Sequence, residues 1–125
     1  LGMKNIIKQM NAAAVNRIVA LGGMGVLPAE DGSLLMDAED YPKEYLAVGG
    51  EHLKAYELLK ASTLDWTFVC APDLVDADAT GSFVTAAEKN PEGSRFRINT
   101  GDLALFMLNE LTRNEYVKER VGISN

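Results

Sequence analysis

VALGGMGVL (Val19–Leu27) is the stretch whose reading decides the fold. A short apolar run, Ile18 to Leu21, passes straight into Gly22, Gly23 and Gly25. A dinucleotide-binding turn begins this way, with a strand, a tight glycine turn and then a helix whose N-terminus meets the pyrophosphate. Here the sequel is Val-Leu-Pro-Ala-Glu-Asp-Gly, and Pro28 and Gly32 argue against an immediate helix. The glycine spacing fits neither G-x-G-x-x-G nor a Walker loop. The plainer reading is a strand exit where backbone must pass close to another group.

Working outward, Met3, Ile6, Ile7 and Met10 recur at helical spacing and predict a helix over residues 2–13. Arg17 to Leu21 is too short for a helix and reads as a buried strand. Residues 22–44 carry glycines, Pro28, an acidic run and Pro42, and read as a long loop with room for a turn of helix. A second helix is predicted over 45–61, anchored by Leu53, Leu58 and Leu59. Trp66, Phe68 and Cys70 alternate with Thr67 and Val69 in a strand that Pro72 stops. Residues 73–93 read as loop, and Phe96 and Ile98 alternate with Arg95 and Arg97 in a third short strand. Asn99 opens a helix with Asp102 three residues on, the spacing of a capping box. Leu103, Phe106, Met107 and Leu111 would face the core from it, and Val121 to Ser124 adds a last strand. Strands alternating with helices define an α/β chain with a mainly parallel sheet and helices on both faces. In such sheets ligands bind beyond the carboxyl ends of the strands, here Leu21–Gly25 and Cys70–Leu74.

Composition excludes several classes. The 125 residues suffice for one domain with a real core. Eighteen acids against 12 bases give a net charge of −6, and Lys and Arg do not cluster, so nucleic acid is not an expected partner. No apolar run approaches a membrane span, and no basic-then-apolar leader opens the sequence. The single cysteine, Cys70, cannot form an internal disulfide, and no set of metal ligands stands out. A cytoplasmic protein without metal is the resulting expectation.

The order NAAAVNRIVAL (11–21), EHLKAYELLKASTLDWTFVCAPDL (51–74), INTGDLALFMLNEL (98–111) and VGIS (121–124) resembles a known family. It is similar to the C-terminal half of an atypical short-chain dehydrogenase of the NAD(P)H-binding, NmrA-like group, nearest to the biliverdin reductase B (flavin reductase) branch. The resemblance implies a Rossmann-like, doubly wound parallel sheet and a reductase using NADP or NAD on a flavin, quinone or small carbonyl. The family's glycine-rich dinucleotide turn has no match here. Residues 1–125 are thus expected to be a single partial domain whose dinucleotide-binding half is absent. Alone, such a chain would be inactive and would self-associate or pair with that missing half, since an unpaired strand edge invites another strand. Some NmrA-like proteins bind dinucleotides as sensors without catalysis, and that alternative stays open.

The same resemblance assigns residues. VALGGMGVL corresponds to the end of the family's fifth strand, beside the nicotinamide, so Leu21, Gly22 and Gly23 are expected to border the cofactor. Gly23 stands where the branch carries a serine, and the hydroxyl is lost. Pro72, Asp73 and Leu74 are expected on the other side of the cofactor, Asp73 in the place of a histidine. His52, the only histidine, matches one of the branch and is the implied proton donor; imidazole suits that role because it titrates near neutrality. Tyr56 and Lys60 form the Y-x-x-x-K of typical short-chain dehydrogenases, but in register that pair would fall at Gly49 and Leu53, about two turns earlier along a helix. They read instead as a packed tyrosine and a solvated lysine. Asp76, Asp78 and Gly81 echo a calcium loop, yet its twelfth position is Ala87 rather than the bidentate glutamate such a loop needs, so a solvated acidic loop is expected.

Overall fold

The computed structural model describes residues 2–125. Helix α1 (Gly2–Ala12) leads into strand β1 (Arg17–Gly23), which is followed by 3₁₀ turns at Met24–Val26, Leu35–Asp37 and Lys43–Tyr45. Then come helix α2 (Leu46–Ala61) and strands β2 (Asp65–Ala71), β3 (Asp73–Val75), β4 (Val84–Ala87) and β5 (Arg97–Asn99). Helix α3 (Thr100–Arg113) and strand β6 (Glu119–Ser124) close the chain. The main sheet has the order β1-β2-β6-β4, in which β1, β2 and β6 are parallel and β4 is antiparallel to β6. Strands β3 and β5 form a separate parallel pair.

Alternation along β2 sorts the core into two halves, because successive strand side chains point to opposite faces. Trp66, Phe68 and Cys70 pack with Tyr56 and Leu59 of α2, and Met3, Ile7 and Met10 of α1 join them. Val69 and Ala71 pack instead with Val121 and Ile123 of β6 and with Leu103 and Phe106 of α3. The sheet is thus covered on both faces, as the alternation of strands and helices predicts.

Three expectations need correction. Residues 73–93 are not all loop, since they contain β3 and β4. All three β3 residues are exposed and β4 reads Val-Thr-Ala-Ala, so neither offers the large period-two contrast that marks a strand in sequence. Leu111 does not face the core and is exposed. The buried position beside it belongs to Glu110, whose carboxylate accepts from Arg17 at 2.8 Å and from the Tyr116 N–H at 2.9 Å. Arg17 also donates to the Thr67 hydroxyl at 2.9 Å. An ion pair with Glu110 buried and Arg17 half-buried therefore ties the start of β1 to the end of α3.

The cap of α3 is half the predicted box. Asn99 Oδ1 accepts from the Asp102 N–H at 2.7 Å, but the Asp102 carboxylate does not return to Asn99. It accepts instead from the Thr80 and Gly81 N–H groups, both at 2.8 Å, and from the Thr80 hydroxyl and Asn125 Nδ2, both at 2.7 Å. The acidic loop read from Asp76, Asp78 and Gly81 is thereby strapped to the first turn of α3. Burial works against the charge on Asp102, but the donors from Thr80, Gly81 and Asn125 prevail and hold its carboxyl down to about 2. A depressed folded pKa contributes stability that is complete above the ordinary carboxylate range and is lost as pH falls through the folded value. Between pH 4 and pH 2, urea midpoints should therefore fall more steeply for the parent protein than for Asp102→Ala. At pH 7 the variant should be weaker by about 1–3 kcal/mol, because buried donors lose their acceptor.

Candidate functional site

Gly23 and Ala71 end β1 and β2 side by side in register, and the chain beyond them splays apart. The space between is a cavity of about 380 Å³ lined mainly by apolar groups. That volume lies within the range of small-ligand sites, and the position is the one where open α/β sheets bind ligands. Four of the sequence candidates meet there: Gly23, His52, Pro72 and Asp73. Leu21, Gly22 and Leu74 do not line it. Leu21 and Leu74 are 45% and 53% exposed outside the cavity, and Gly22 lies under the Phe68 ring.

Helix α2 supplies one wall. Tyr45, just before the helix, and then Val48, Gly49 and His52 stand at i, i+3, i+4 and i+7 and so share one face. The next turns use the same face differently, for Tyr56 and Leu59 enter the core. Tyr56 packs edge-on to Trp66 with centroids 5.6 Å apart, the Arg120 guanidinium lies 4.8 Å from its ring centre, and Lys60 Nζ lies at 5.9 Å. The Y-x-x-x-K pair is therefore packing, as its register predicts.

The glycines are explained by closeness. Gly23 has φ −103° and ψ 160°, which any residue adopts, so torsion is not the reason for glycine here. A Cβ at Gly23 would come within 2.9 Å of His52 Nδ1. A Cβ at Gly25 would come within 2.7 Å of the Tyr41 hydroxyl and 3.0 Å of Met36 Cβ. The loop thus seats two ring side chains, each bearing a proton, in one cavity. Burial, with Tyr45 and Asp73 nearby, pushes the Tyr41 hydroxyl above its ordinary value, so it is a neutral donor at pH 7. Cys70, just before the cavity-lining Ala71, is fully buried in the core, and burial pushes its thiol up to about 12, as for an inert structural cysteine.

Behind the cavity, Arg120 on β6 donates to both Glu88 carboxylate oxygens at 2.8 and 3.1 Å. It also donates to the Val26 carbonyl at 2.9 Å. The exit loop of β1 is thereby tied to the far side of the sheet. Phe96 also lines the cavity, as do Pro72 and Asp73. Among the described residues no three His, Cys, Asp or Glu side chains cluster to hold a metal, and no helix is long and apolar enough to cross a membrane. Sequence reasoning missed Tyr41, Tyr45, Val48 and Phe96. The helical stripe through Tyr45, Val48 and His52 was a usable signal; Tyr41 sits in an irregular loop and had none.

This α/β sheet, open at the carboxyl ends of its strands, has the Rossmann-like architecture of nicotinamide-dinucleotide-binding proteins. The chain belongs to the NAD(P)H-binding family, whose profile matches residues 1–114. It is 30% identical over 128 residues to the uncharacterized protein YwnB of Bacillus subtilis, covering 94% of this chain and 59% of YwnB. A crystal structure of a provisionally named exported protein from Burkholderia pseudomallei matches with a TM-score of 0.88 at 29% identity, covering 98% of this chain and 62% of that one. A provisionally named NADH-flavin reductase from Streptococcus pneumoniae matches with a TM-score of 0.83 at 25% identity, covering 98% and 63%. The chain therefore spans about three-fifths of the length of these relatives.

The seating argument has a direct check. Gly25→Ala should lower stability in urea by about 1–3 kcal/mol, because the added methyl overpacks Tyr41 and Met36. Gly50→Ala is the control: a Cβ there meets nothing within 4 Å, and alanine in α2 should leave stability equal or raise it.

Proposed function

We propose that this cavity is where a nicotinamide and a hydride acceptor meet, in an NAD(P)H-dependent reductase of the flavin, quinone or small-carbonyl type. The observation that carries this reading is the seat of His52, which fills the space left by the missing side chain of Gly23 at the strand end. The family membership supports it, as does the name of the streptococcal neighbour. When bound, NADPH or NADH supplies hydride from its nicotinamide. Gly23, Ala71 and Pro72 would hold that ring at the strand ends, with Asp73 beside them. Leu21, Gly22 and Leu74 act through the backbone that sets Gly23 and Asp73 in place. The pyrophosphate is held outside these residues, and 1–125 is then one partial domain. The outer edge of β1, unpaired among the described residues, takes either the remaining strands or a second copy of the chain.

Hydride transfer to a carbonyl or quinone also requires a proton. Gly23 has none to give. His52 is the donor in this reading, and the Tyr41 hydroxyl orients the oxygen that receives the proton. Spectrophotometry at 340 nm tests it on the intact protein, dinucleotide-binding strands included, with NADPH or NADH and with FMN, menadione or a small aldehyde as acceptor. Oxidation stimulated by FMN or menadione is the expected result. His52→Asn should lower aldehyde turnover by roughly 10²-fold while leaving the cofactor Kd unchanged, the loss typical of a missing general acid. A protein that turns over no acceptor would defeat the reading.

The absent hydroxyl at Gly23 favours one second reading, a dinucleotide-binding sensor without catalysis. Tight binding of NADPH with no consumption over hours would identify it.

A further inference from the structure

Phe96 is held in a backbone conformation that a bulky residue rarely takes. Its φ is +57°, in the left-handed region, where a Cβ crowds the following carbonyl. Its side chain is not there to be buried, since the residue is 56% exposed. The chain on either side fixes the kink. The Phe96 N–H donates to Ser94 Oγ at 3.1 Å, and the Phe96 carbonyl accepts from the Asp73 N–H at 3.3 Å. Arg97 then pairs with Asp73 as β5 meets β3. Ser124 Oγ accepts from the Arg95 N–H at 2.9 Å and donates to the Arg97 carbonyl at 3.1 Å. Strain that neighbours over-determine in this way is found at binding and catalytic sites, where a side chain must be aimed. Phe96 stands at the rim of the cavity and lines it together with Pro72, Asp73, Tyr41 and Tyr45.

We infer that Phe96 is the specificity-determining residue for the hydride acceptor, a platform on which a flat conjugated ring stacks. The inference rests on the reductase reading and adds the acceptor's shape to it. Aromatic rings gain most from offset or edge contacts with other rings, and an aliphatic carbonyl compound gains little from such a wall. A phenylalanine also has no hydrogen bond to offer, so it selects for a ring face and not for a polar substituent. The backbone strain is therefore spent on selecting flat acceptors over small aliphatic ones.

The test uses Phe96→Gly, Phe96→Ala and Phe96→Trp in the intact protein, dinucleotide-binding strands included. Glycine adopts the left-handed conformation freely, so Phe96→Gly should melt at or above the parent's Tm and still lack the ring. Lumiflavin, the flavin ring without its phosphate chain, is the binding probe, followed by quenching of its fluorescence. The parent and Phe96→Trp should bind it, while Phe96→Gly and Phe96→Ala should bind about tenfold or more weakly, the range seen when an aromatic stacking partner is removed. In turnover assays the KM for FMN should rise by the same factor, with the KM for a small aldehyde and the Kd for NADPH unchanged. Equal lumiflavin affinity in the parent and Phe96→Gly, or no binding by the parent, overturns the inference. Absence of all NAD(P)H oxidation by the parent counts against the reductase reading, and the lumiflavin titration still decides the platform. An aldehyde KM that rises together with that for FMN also overturns it, since the residue would then shape the site without choosing between acceptors.

Discussion

Three missing side chains at the exit of β1 are the constraint on which the rest depends. Gly22 lies under the Phe68 ring, Gly23 under the His52 imidazole, and Gly25 under the Tyr41 hydroxyl and Met36. Each approach does separate work. Phe68 needs the first to complete the core beneath α2, where it is 1% exposed. His52 and Tyr41 need the others to enter the cavity. Any side chain at these positions competes for volume in a packed interior, which yields only by shifting rings or backbone. The loop that resembles a phosphate cradle is thus shaped for protein side chains, and the cavity exists because the strand recedes there.

The two ends of the sheet are built on opposite principles. At the amino end of the strands, Arg17 and Glu110 form a 2.8 Å ion pair joined by the Thr67 hydroxyl and the Tyr116 N–H, with Arg17 Nε buried and unpartnered among the described residues. A largely buried pair of this kind is costly to break on one side, because the remaining charge stays unpaired. At the carboxyl end the strands part and leave exposed apolar side chains, Tyr45, Val48 and Phe96, around an opening. Arg120 links the two regimes. Its guanidinium stacks on the core residue Tyr56 and also holds the Val26 carbonyl, so the cavity's back wall is fixed to the rigid part of the sheet. A site carried on such a base keeps its geometry while its rim can admit a ligand.

What the sequence disclosed follows from where periodicity is strong. Trp66 to Cys70 and Leu103 to Met107 carry large apolar residues at spacings that admit one structure each, and the strand and helix are found there. β4 was illegible because Val-Thr-Ala-Ala has no large side chain on either face; its pairing with β6 comes from the partner strand and from the Thr85–Tyr116 hydroxyl contact of 2.8 Å. Leu111 misled because composition alone prefers leucine to glutamate in a core, and only the distant Arg17 gives Glu110 its reason to be inside. Of the residues that line the cavity, Gly23, His52, Pro72 and Asp73 were singled out from strand ends and resemblance. Phe96 was assigned to a plain alternating strand, since a left-handed φ in a non-glycine residue leaves no mark in the sequence.

The two-turn offset in α2 ties these observations to chemistry. The helix divides its inward face: Val48, Gly49 and His52 belong to the cavity, and Tyr56 and Leu59 belong to the core. A Y-x-x-x-K pair placed in the second segment is excluded from the cavity, with Tyr56 boxed between Trp66, Phe68 and Arg120. At Gly49, where in register the tyrosine of that pair would stand, there is no side chain, and a Cβ would meet Met36 at 3.1 Å. The lysine-assisted tyrosine is therefore missing by composition, since the only group near a Cβ at Gly49 is the flexible end of Met36. The cavity instead brings together two polar ring side chains from different elements, His52 from the helix and Tyr41 from the loop before it.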